Sequence, residues 1–351
     1  MVVNGPSISI GVLAHNEKLN IEKTLKSLFM QDVFERFSTE VIVVANGCTD
    51  GTATLAKQSL LNNQALWSKL GSAQVVELTM AGKTNAWNEF VHKLSARSAP
   101  ILVLMDSDIT LLNKNTISSL VTSLADNSEA AVCVDRPVKN IEIGTKRTLF
   151  QRLLVGATPA IDEHNAPLCG QLYSIRSAEA RQITLPRELP VEDGFLRALL
   201  LTHGFTRPNN ARRIILDSSV AHRFESVGTL RELFKHERWI VSSSIISMLL
   251  YERFWRECAP DRSAMELIAR WQKESADWLP RYIQTEVQKR GWRLLPSYWW
   301  TRRWSHLRPL SWSKKLKRLP IAAMATAMDM FVFITAIRDV RKGRAFRYWG
   351  R

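Results

Sequence analysis

Asp106 and Asp108 flank Ser107 directly after the apolar run ILVLM at residues 101–105. Two unpaired carboxylates at the end of a buried strand are costly unless a cation joins them. A hard divalent ion, held by one or two carboxylates and by substrate phosphates, completes such a pair. The plainer alternative is a turn or helix-capping pair, which Asp also suits. The five-residue apolar run before it favours the ion. Three further polar turns have a matching look: Ala14-His15-Asn16-Glu17, then residues 46–52 (NGCTDGT), then residues 82–88 (GKTNAWN). A lysine beside a helix start, as Lys83 would be, suits a phosphate. Taken singly, each turn is an ordinary strand-to-helix loop. None is a GxxxxGK[ST] phosphate loop or a GxGxxG turn.

These residues need elements that bring them together. Residues 7–14 (SISIGVLA), 40–45 (EVIVVA), 73–78, 101–105 and 130–134 read as strands. Ile21, Leu25, Leu28 and Phe29 recur at helical spacing, with Asn20 placed to cap them. Asp50 or Thr52 caps a second helix running through Leu61, and residues 83–94 form a third. Alternating strands and helices with continuous apolar strands imply a mostly parallel sheet covered on both faces. Ligands of such sheets bind beyond the carboxyl ends of the strands. The four turns then share one edge. Residues 168–175 and 213–216 read as further strands and 192–201 as a helix; after about Gly228 the pattern is helical and Trp-rich.

The 351 residues allow one large domain with an extension, or two domains. Hydrophobic residues at 46% and charged residues at 23% exclude a disordered or collagen-like chain. Cys48, Cys133, Cys169 and Cys258 lie far apart with no CxxC pair, which argues against a disulfide framework or zinc module and for a reducing compartment. No signal peptide is expected from MVVNGPSISIGVLAHNE. The net charge of +15 first suggests nucleic acid. However, residues 281–351 hold 17 Lys/Arg against three acids, whereas the first 280 residues hold 31 against 30. The body is neutral and the charge is a C-terminal feature. With no nucleic-acid fold motif beside it, no nucleic-acid partner is expected.

In their order, SISIGVLAHNE, EVIVVANGCTDGT, GKTNAWN and LMDSD resemble the inverting nucleotide-sugar glycosyltransferases of family 2. The resemblance implies the GT-A fold, a Rossmann-like α/β architecture with a mostly parallel sheet and flanking helices. It implies a nucleotide-sugar donor, a UDP-sugar first among them, and Mn²⁺ or Mg²⁺ on Asp106 and Asp108. Ala14, Asn16 and Glu17 then belong to the base-binding turn, and Lys83 lies near the nucleotide. Ala45-Asn46 stands where the family often has one or two acids, and the Asn46 carbonyl can still accept from a pyrimidine N–H. LCGQLYSIR at residues 168–176 is similar to the acceptor-side strand. PVEDGFL at residues 190–196 is similar to the family's ED motif, which makes Asp193 the general base and Glu192 its support. Adjacent acids at a helix start point about 100° apart, so one can face the acceptor while the other makes a structural bond; two first-turn acids favoured by the helix dipole are the alternative. Lys235-His236-Glu237-Arg238-Trp239 resembles the QxxRW motif of polymerising members, with Arg238 and Trp239 as the matching positions. A basic amphipathic helix with a core Trp accounts for it equally well. His222 falls where some GT-A enzymes supply a third metal ligand, although a lone His is more often structural.

Residues 281–351 also hold six of the twelve Trp. Trp beside Arg and Lys around an apolar stretch is a membrane-interface composition. The stretch is IAAMATAMDMFVFITAI, residues 321–337. Asp329 at its centre would cost roughly 2.5–3.5 kcal/mol in lipid. A helix in the interface is therefore favoured over a true span. The run KKLKR at residues 314–318 would attract anionic lipids at about 1 kcal/mol per residue. A solvated basic face, or a helix packed on the body, are the alternatives. The expected organisation is a catalytic domain at 1–227, a helical extension at 228–280 and a membrane-associating region at 281–351. The expected activity is metal-dependent sugar transfer to a lipid-linked or glycan acceptor at the cytoplasmic face of the inner membrane. Two rivals are a nucleotidyltransferase on a similar sheet and a non-catalytic membrane protein with a degenerate transferase fold. The first predicts a Gly-rich, Arg-bearing loop after the first strand, which AHNEKLN lacks.

Overall fold

The computed structural model describes residues 7–67, 71–140, 167–225, 229–305, 307 and 311–347. Trp349 and the boundary at 227–228 lie outside the described residues. Eight strands form one sheet in the order β3-β2-β1-β4-β7-β6-β8-β5. They are β1 (Ile8–Ala14), β2 (Thr39–Asn46), β3 (Gly71–Leu78), β4 (Ile101–Asp106), β5 (Thr110–Leu111), β6 (Val132–Lys139), β7 (Leu172–Arg176) and β8 (Ile214–Phe224). Strands β1 to β4 are mutually parallel, as helical crossovers between them require. β7 runs antiparallel between β4 and β6, and β6 pairs with β8 in parallel. The register sets Ala14 beside Ala45 and Leu13 beside Asp106, so three strand ends are level at one edge.

Helices α1 (Ile21–Phe29), α2 (Thr52–Asn62), α3 (Lys83–Glu89), α4 (Thr116–Asp126) and α5 (Asp193–Leu201) flank the sheet. Alternate side chains of each central strand feed opposite layers. Ile10, Val12, Val43 and Val103 pack with Leu25 of α1 and Leu120 of α4. Leu13, Ile42, Val44 and Leu104 pack with Trp87 of α3 and Phe195 of α5. That second layer continues into α6 (Leu230–Glu257), α7 (Ala264–Glu274), α8 (Trp278–Arg290), α9 (Ser297–Ser305) and α10 (Trp312–Arg341). Leu249, Ile268, Ile283 and Phe333 belong to the same apolar cluster as Trp87. The C-terminal helices are thus fused to one face of the sheet.

Local departures from the sequence reading have physical causes. Asn20 does not cap α1; its side chain donates to Glu17 Oε2 at 2.9 Å. Asp50, not Thr52, serves α2, accepting from the Thr52 backbone N–H at 3.0 Å. The third helix turns from α to π geometry at Phe90–Leu94. β7 begins at Leu172 rather than 168, and β8 runs on to Phe224. Among the described residues one helical stretch, Arg318–Arg341, is long and apolar enough to cross a membrane, and 35% of its apolar window is buried in the protein. Asp329 is inside that buried share, bound by Arg303 Nε at 2.9 Å and Nη2 at 3.0 Å. The fork-like pairing gives Asp329 a charged partner inside the protein.

Candidate active site

Strand ends, two turns and one helix start converge on Lys83. Its Nζ lies 2.8 Å and 2.9 Å from the two Asp106 carboxylate oxygens, 2.9 Å from Glu192 Oε1 and 3.2 Å from the Gly170 carbonyl. Residues far apart in sequence are joined by one ammonium. Burial pulls Lys83 down, but the charges of Asp106 and Glu192 hold it well above its ordinary value, so it stays protonated. Burial is the first influence that pushes Asp106 up; the Lys83 charge opposes it, and the charges of Asp108 and Glu192 add to it. Glu17 is also raised, by burial first and partly by Asp108 and Asp50. The edge thus holds more negative charge than one lysine balances.

Gly170 makes this convergence possible. Its φ is +69°, and a Cβ there would come within 3.0 Å of both Asp193 Cβ and Glu192 Oε1. Only glycine fits a turn this close to two carboxylates in the left-handed region. Glu192 is buried and directed at Lys83, whereas Asp193 opens α5 and lines a cavity of about 440 Å³. Burial, and then Glu192, raise Asp193 to about 6.

The first two turns are zipped together. Asn16 Oδ1 accepts from the Thr49 N–H at 2.8 Å, and Asp50 Oδ2 from the Lys18 N–H at 3.0 Å. His15 Nδ1 lies 2.7 Å from the Asn46 carbonyl. Asn16 takes a φ of +54° to do this, a conformation Asn tolerates. Ala14 is fully buried beneath them. Asn46 overturns its expected role. Its side chain is fully buried, donating to the Gly82 carbonyl at 2.7 Å while Oδ1 accepts from Asn85 at 3.2 Å. It braces the Lys83 turn, with its carbonyl buried.

His222 is buried on β8 with both ring nitrogens engaged. Nδ1 meets the two Asp135 oxygens at 2.8 and 2.9 Å, and Nε2 lies 3.2 Å from Gln171 Oε1. Among the described residues, no three His, Cys, Asp or Glu side chains form a metal-holding group. Asp106, Asp108 and His222 therefore do not form such a group among the described residues. Gln171 links the two places, because its carbonyl accepts from the Asp106 N–H at 2.8 Å. Arg238 and Trp239 sit on α6. Arg238 Nε pairs with Asp339 of α10 at 2.7 Å, and Trp239 packs against His236. The pair thus joins α6 to the C-terminal helix.

The sequence reading missed Asp135, Gln171 and the bridging role of Asp50. Asp135 carried a usable signal: AAVCVD repeats the pattern of ILVLMD, an apolar strand ending in an acid. Gln171 carried none.

Acids, a lysine and polar turns are thus gathered at the carboxyl edge of an α/β sheet, where the ligands of such sheets bind. The chain belongs to glycosyl transferase family 2, whose family model matches residues 9–199. No curated protein matches it. Among solved structures it is similar to S. aureus TarS 1–349, with 18% identity over 96% of this chain and 92% of that one, at a TM-score of 0.45. It covers 55% of a longer TarS chain. It is also similar to glucosyl-3-phosphoglycerate synthase from Mycobacterium tuberculosis in complex with Mg²⁺ and uridine diphosphate, with 19% identity over 69% of this chain and 79% of that one, at a TM-score of 0.44.

Proposed function

We propose that this protein is a metal-dependent, inverting glycosyltransferase. It moves a sugar from a nucleoside-diphosphate donor, a UDP-sugar first among them, to a hydroxyl of a lipid-linked or glycan acceptor. One observation carries the reading: Lys83 gathers Asp106 and Glu192 at the sheet edge, and Asp193, next in the chain, faces a cavity.

Asp106 and Asp108 fit a divalent ion. They are hard oxygen donors in a crowded negative site, the chemistry Mg²⁺ and Mn²⁺ prefer. Such an ion, when bound, would neutralise charge on the departing diphosphate. His222 joins as a third ligand only by releasing Gln171. Lys83 adds a fixed positive charge beside the donor phosphates and keeps Glu192 in place. The zipped turns at Asn16–Thr49 and Lys18–Asp50 present a preformed ledge for the nucleoside. The Asp193 carboxylate takes the proton of the acceptor hydroxyl, whose oxygen bonds to the anomeric carbon as the bond to the diphosphate breaks on the opposite face. The bond electrons leave with the nucleoside diphosphate. An Asp raised to about 6 is mostly ionised at neutral pH yet more basic than an ordinary carboxylate.

The reading includes attachment to the cytoplasmic face of the inner membrane. Trp312, Leu316, Met324 and Phe331 of α10 are 85%, 75%, 71% and 58% exposed, in the most basic part of the chain. An apolar helix face beside Arg and Lys suits an interface rich in anionic lipid. Packing of the opposite side of α10 on α6 favours lying in that interface over crossing it.

The test is a thermal-shift panel of UDP, GDP, dTDP and CDP, each with and without Mn²⁺, on detergent-solubilised protein. A ligand at ~100-fold its Kd adds about 2.7 kcal/mol. Stabilisation by one nucleotide only with metal supports the reading. No response to any nucleotide overturns it in favour of a non-catalytic membrane protein.

A further inference from the structure

The cavity of about 440 Å³ that Asp193 lines is walled by α6, α9 and the segment before α9. Ile240, Ser243, Ser244, Ser247, Met248 and Tyr251 recur on α6 at three- and four-residue spacing, so they form one helix face turned to it. Leu295 and Trp299 close the other side. Its polar side chains are Asp193, Ser243, Ser244, Ser247, Tyr251 and Tyr298. Tyr251 donates its hydroxyl to the Gly194 carbonyl at 2.9 Å. Ser242, just beside the face, donates to the Arg238 carbonyl one turn back at 2.8 Å, the usual habit of a helical serine. Ser243 does not. It is 3% exposed, and its Oγ is buried with no hydrogen-bond partner among the described residues. A buried hydroxyl without a partner is destabilising, so a group that pairs with it gains affinity once a turn about χ1 brings the Oγ to the cavity.

We infer that this cavity seats the apolar body of a lipid acceptor, with the reacting hydroxyl at Asp193 and one polar atom of the acceptor on Ser243 Oγ. The inference rests on the transferase reading above and narrows its acceptor to the lipid class. A bare glycan carries hydroxyls around every ring, each needing a partner on burial, whereas most of this wall is apolar, from Ile240, Ile245, Met248, Leu295, Pro296 and Trp299. An apolar body needs no such partner. The volume falls in the range of small-molecule sites. Access points the same way: Tyr298 lines the cavity and is 65% exposed, and Trp300 and Trp304 of the same helix are 37% and 40% exposed. The helix closing the cavity thus also carries aromatic side chains to the surface beside α10, where a lipid would arrive.

The experiment titrates the full chain with octyl β-D-glucoside below its micellar concentration, with glucose and with maltotetraose. Each is followed by calorimetry in the wild type, Ser243→Leu and Ser243→Ala. The expected result is saturable binding of octyl glucoside, about tenfold or more tighter than either sugar. Ser243→Leu, which fills the cavity, weakens it about tenfold. Ser243→Ala, which leaves the volume open and removes only the hydroxyl, weakens it less and does not lower the melting temperature. Equal affinity for all three probes overturns the inference, as does wild-type binding in both variants. Nucleoside-diphosphate binding with Mn²⁺ is measured in parallel. If nucleotide binds and octyl glucoside does not, the lipid cavity fails alone. If octyl glucoside binds through Ser243 and no nucleotide binds, the transferase reading fails and the cavity stands.

Discussion

The sheet edge and the wall of the cavity meet at residues 192–194 and are built in opposite ways. At the edge several polar side chains are committed inside the protein. Lys83 is shared by two carboxylates, Asn46 is spent on Gly82 and Asn85, and Asp50 and Asn16 tie two turns together. At the wall most of the surface is apolar, and one buried hydroxyl, Ser243 Oγ, has no partner among the described residues. The contrast separates two tasks. A charged phosphate donor demands a preorganised polar frame, because charges that must reorient during reaction stabilise it poorly. An apolar acceptor demands only volume and position. Glu192 and Asp193 divide along this line, one tied to the lysine and the other lining the cavity.

The sharpest way to break the comparison is Asp193→Asn. If Asp193 is the base, transfer falls about 10²–10⁴-fold while nucleotide affinity holds. In the wild type the rate rises with pH through about 6 and levels off above it. The stability sign runs the other way. A carboxyl whose folded value is raised binds its proton more tightly when folded, so its burden is absent below the ordinary value of 3.8 and complete above about 6. Asp193→Asn therefore stabilises the protein at pH 7–8 and leaves it nearly unchanged below pH 4. Urea denaturation at the two pH values reads this directly. Unimpaired transfer, or a loss of stability at pH 8, removes Asp193 from the role.

Lys83→Met tests the polar frame. It strands Asp106 and Glu192 without their shared cation, at a cost of about 3 kcal/mol. Lys83→Met/Asp106→Asn should recover part of that loss, because one stranded charge is gone. A double variant no more stable than the single one means the lysine matters by packing rather than by charge. Asp108→Asn is gentler on folding, since no ion pair with Asp108 is seen among the described residues. It should abolish the metal-dependent part of nucleotide stabilisation, about 2.7 kcal/mol at ~100-fold the wild-type Kd. Metal dependence that survives would move the ion away from the acid pair.

How much of this was legible in the sequence divides along the same boundary. Strands β1, β2 and β4 were plain, because each is a continuous apolar run and both its faces are covered. The acids at the strand ends were legible because a charge directly after such a run is costly unless a cation or a polar ligand meets it. Illegible were contacts fixed by three-dimensional closure. Gln171 has no pattern of its own; it matters because β7 pairs with β4 and sets its carbonyl on Asp106. The role of Arg238 was equally hidden, because a basic residue before Trp looks the same whether it faces a ligand or, as here, Asp339 more than a hundred residues away. Equally hidden were Ser243, Ser244 and Ser247 of α6. Their use as a cavity face required knowing which side of the helix the sheet leaves open.

Asn46→Asp is the smallest of these changes and the most discriminating for the donor edge. Restoring the acid that the family often carries looks, from sequence, like a repair of base recognition. The geometry predicts otherwise. Asn46 Nδ2 donates to the Gly82 carbonyl, and a carboxylate there cannot donate. The variant sets two acceptors against each other in a fully buried position and loosens the turn that carries Lys83. A cost of about 1–3 kcal/mol is expected for leaving the buried carbonyl unsatisfied. Affinity for UDP should fall or stay level, with no gain over CDP in the same panel. Should Asn46→Asp instead bind UDP more tightly at undiminished stability, the frame would be adaptable rather than preformed. The distinction between a committed polar edge and an open apolar wall would then be lost.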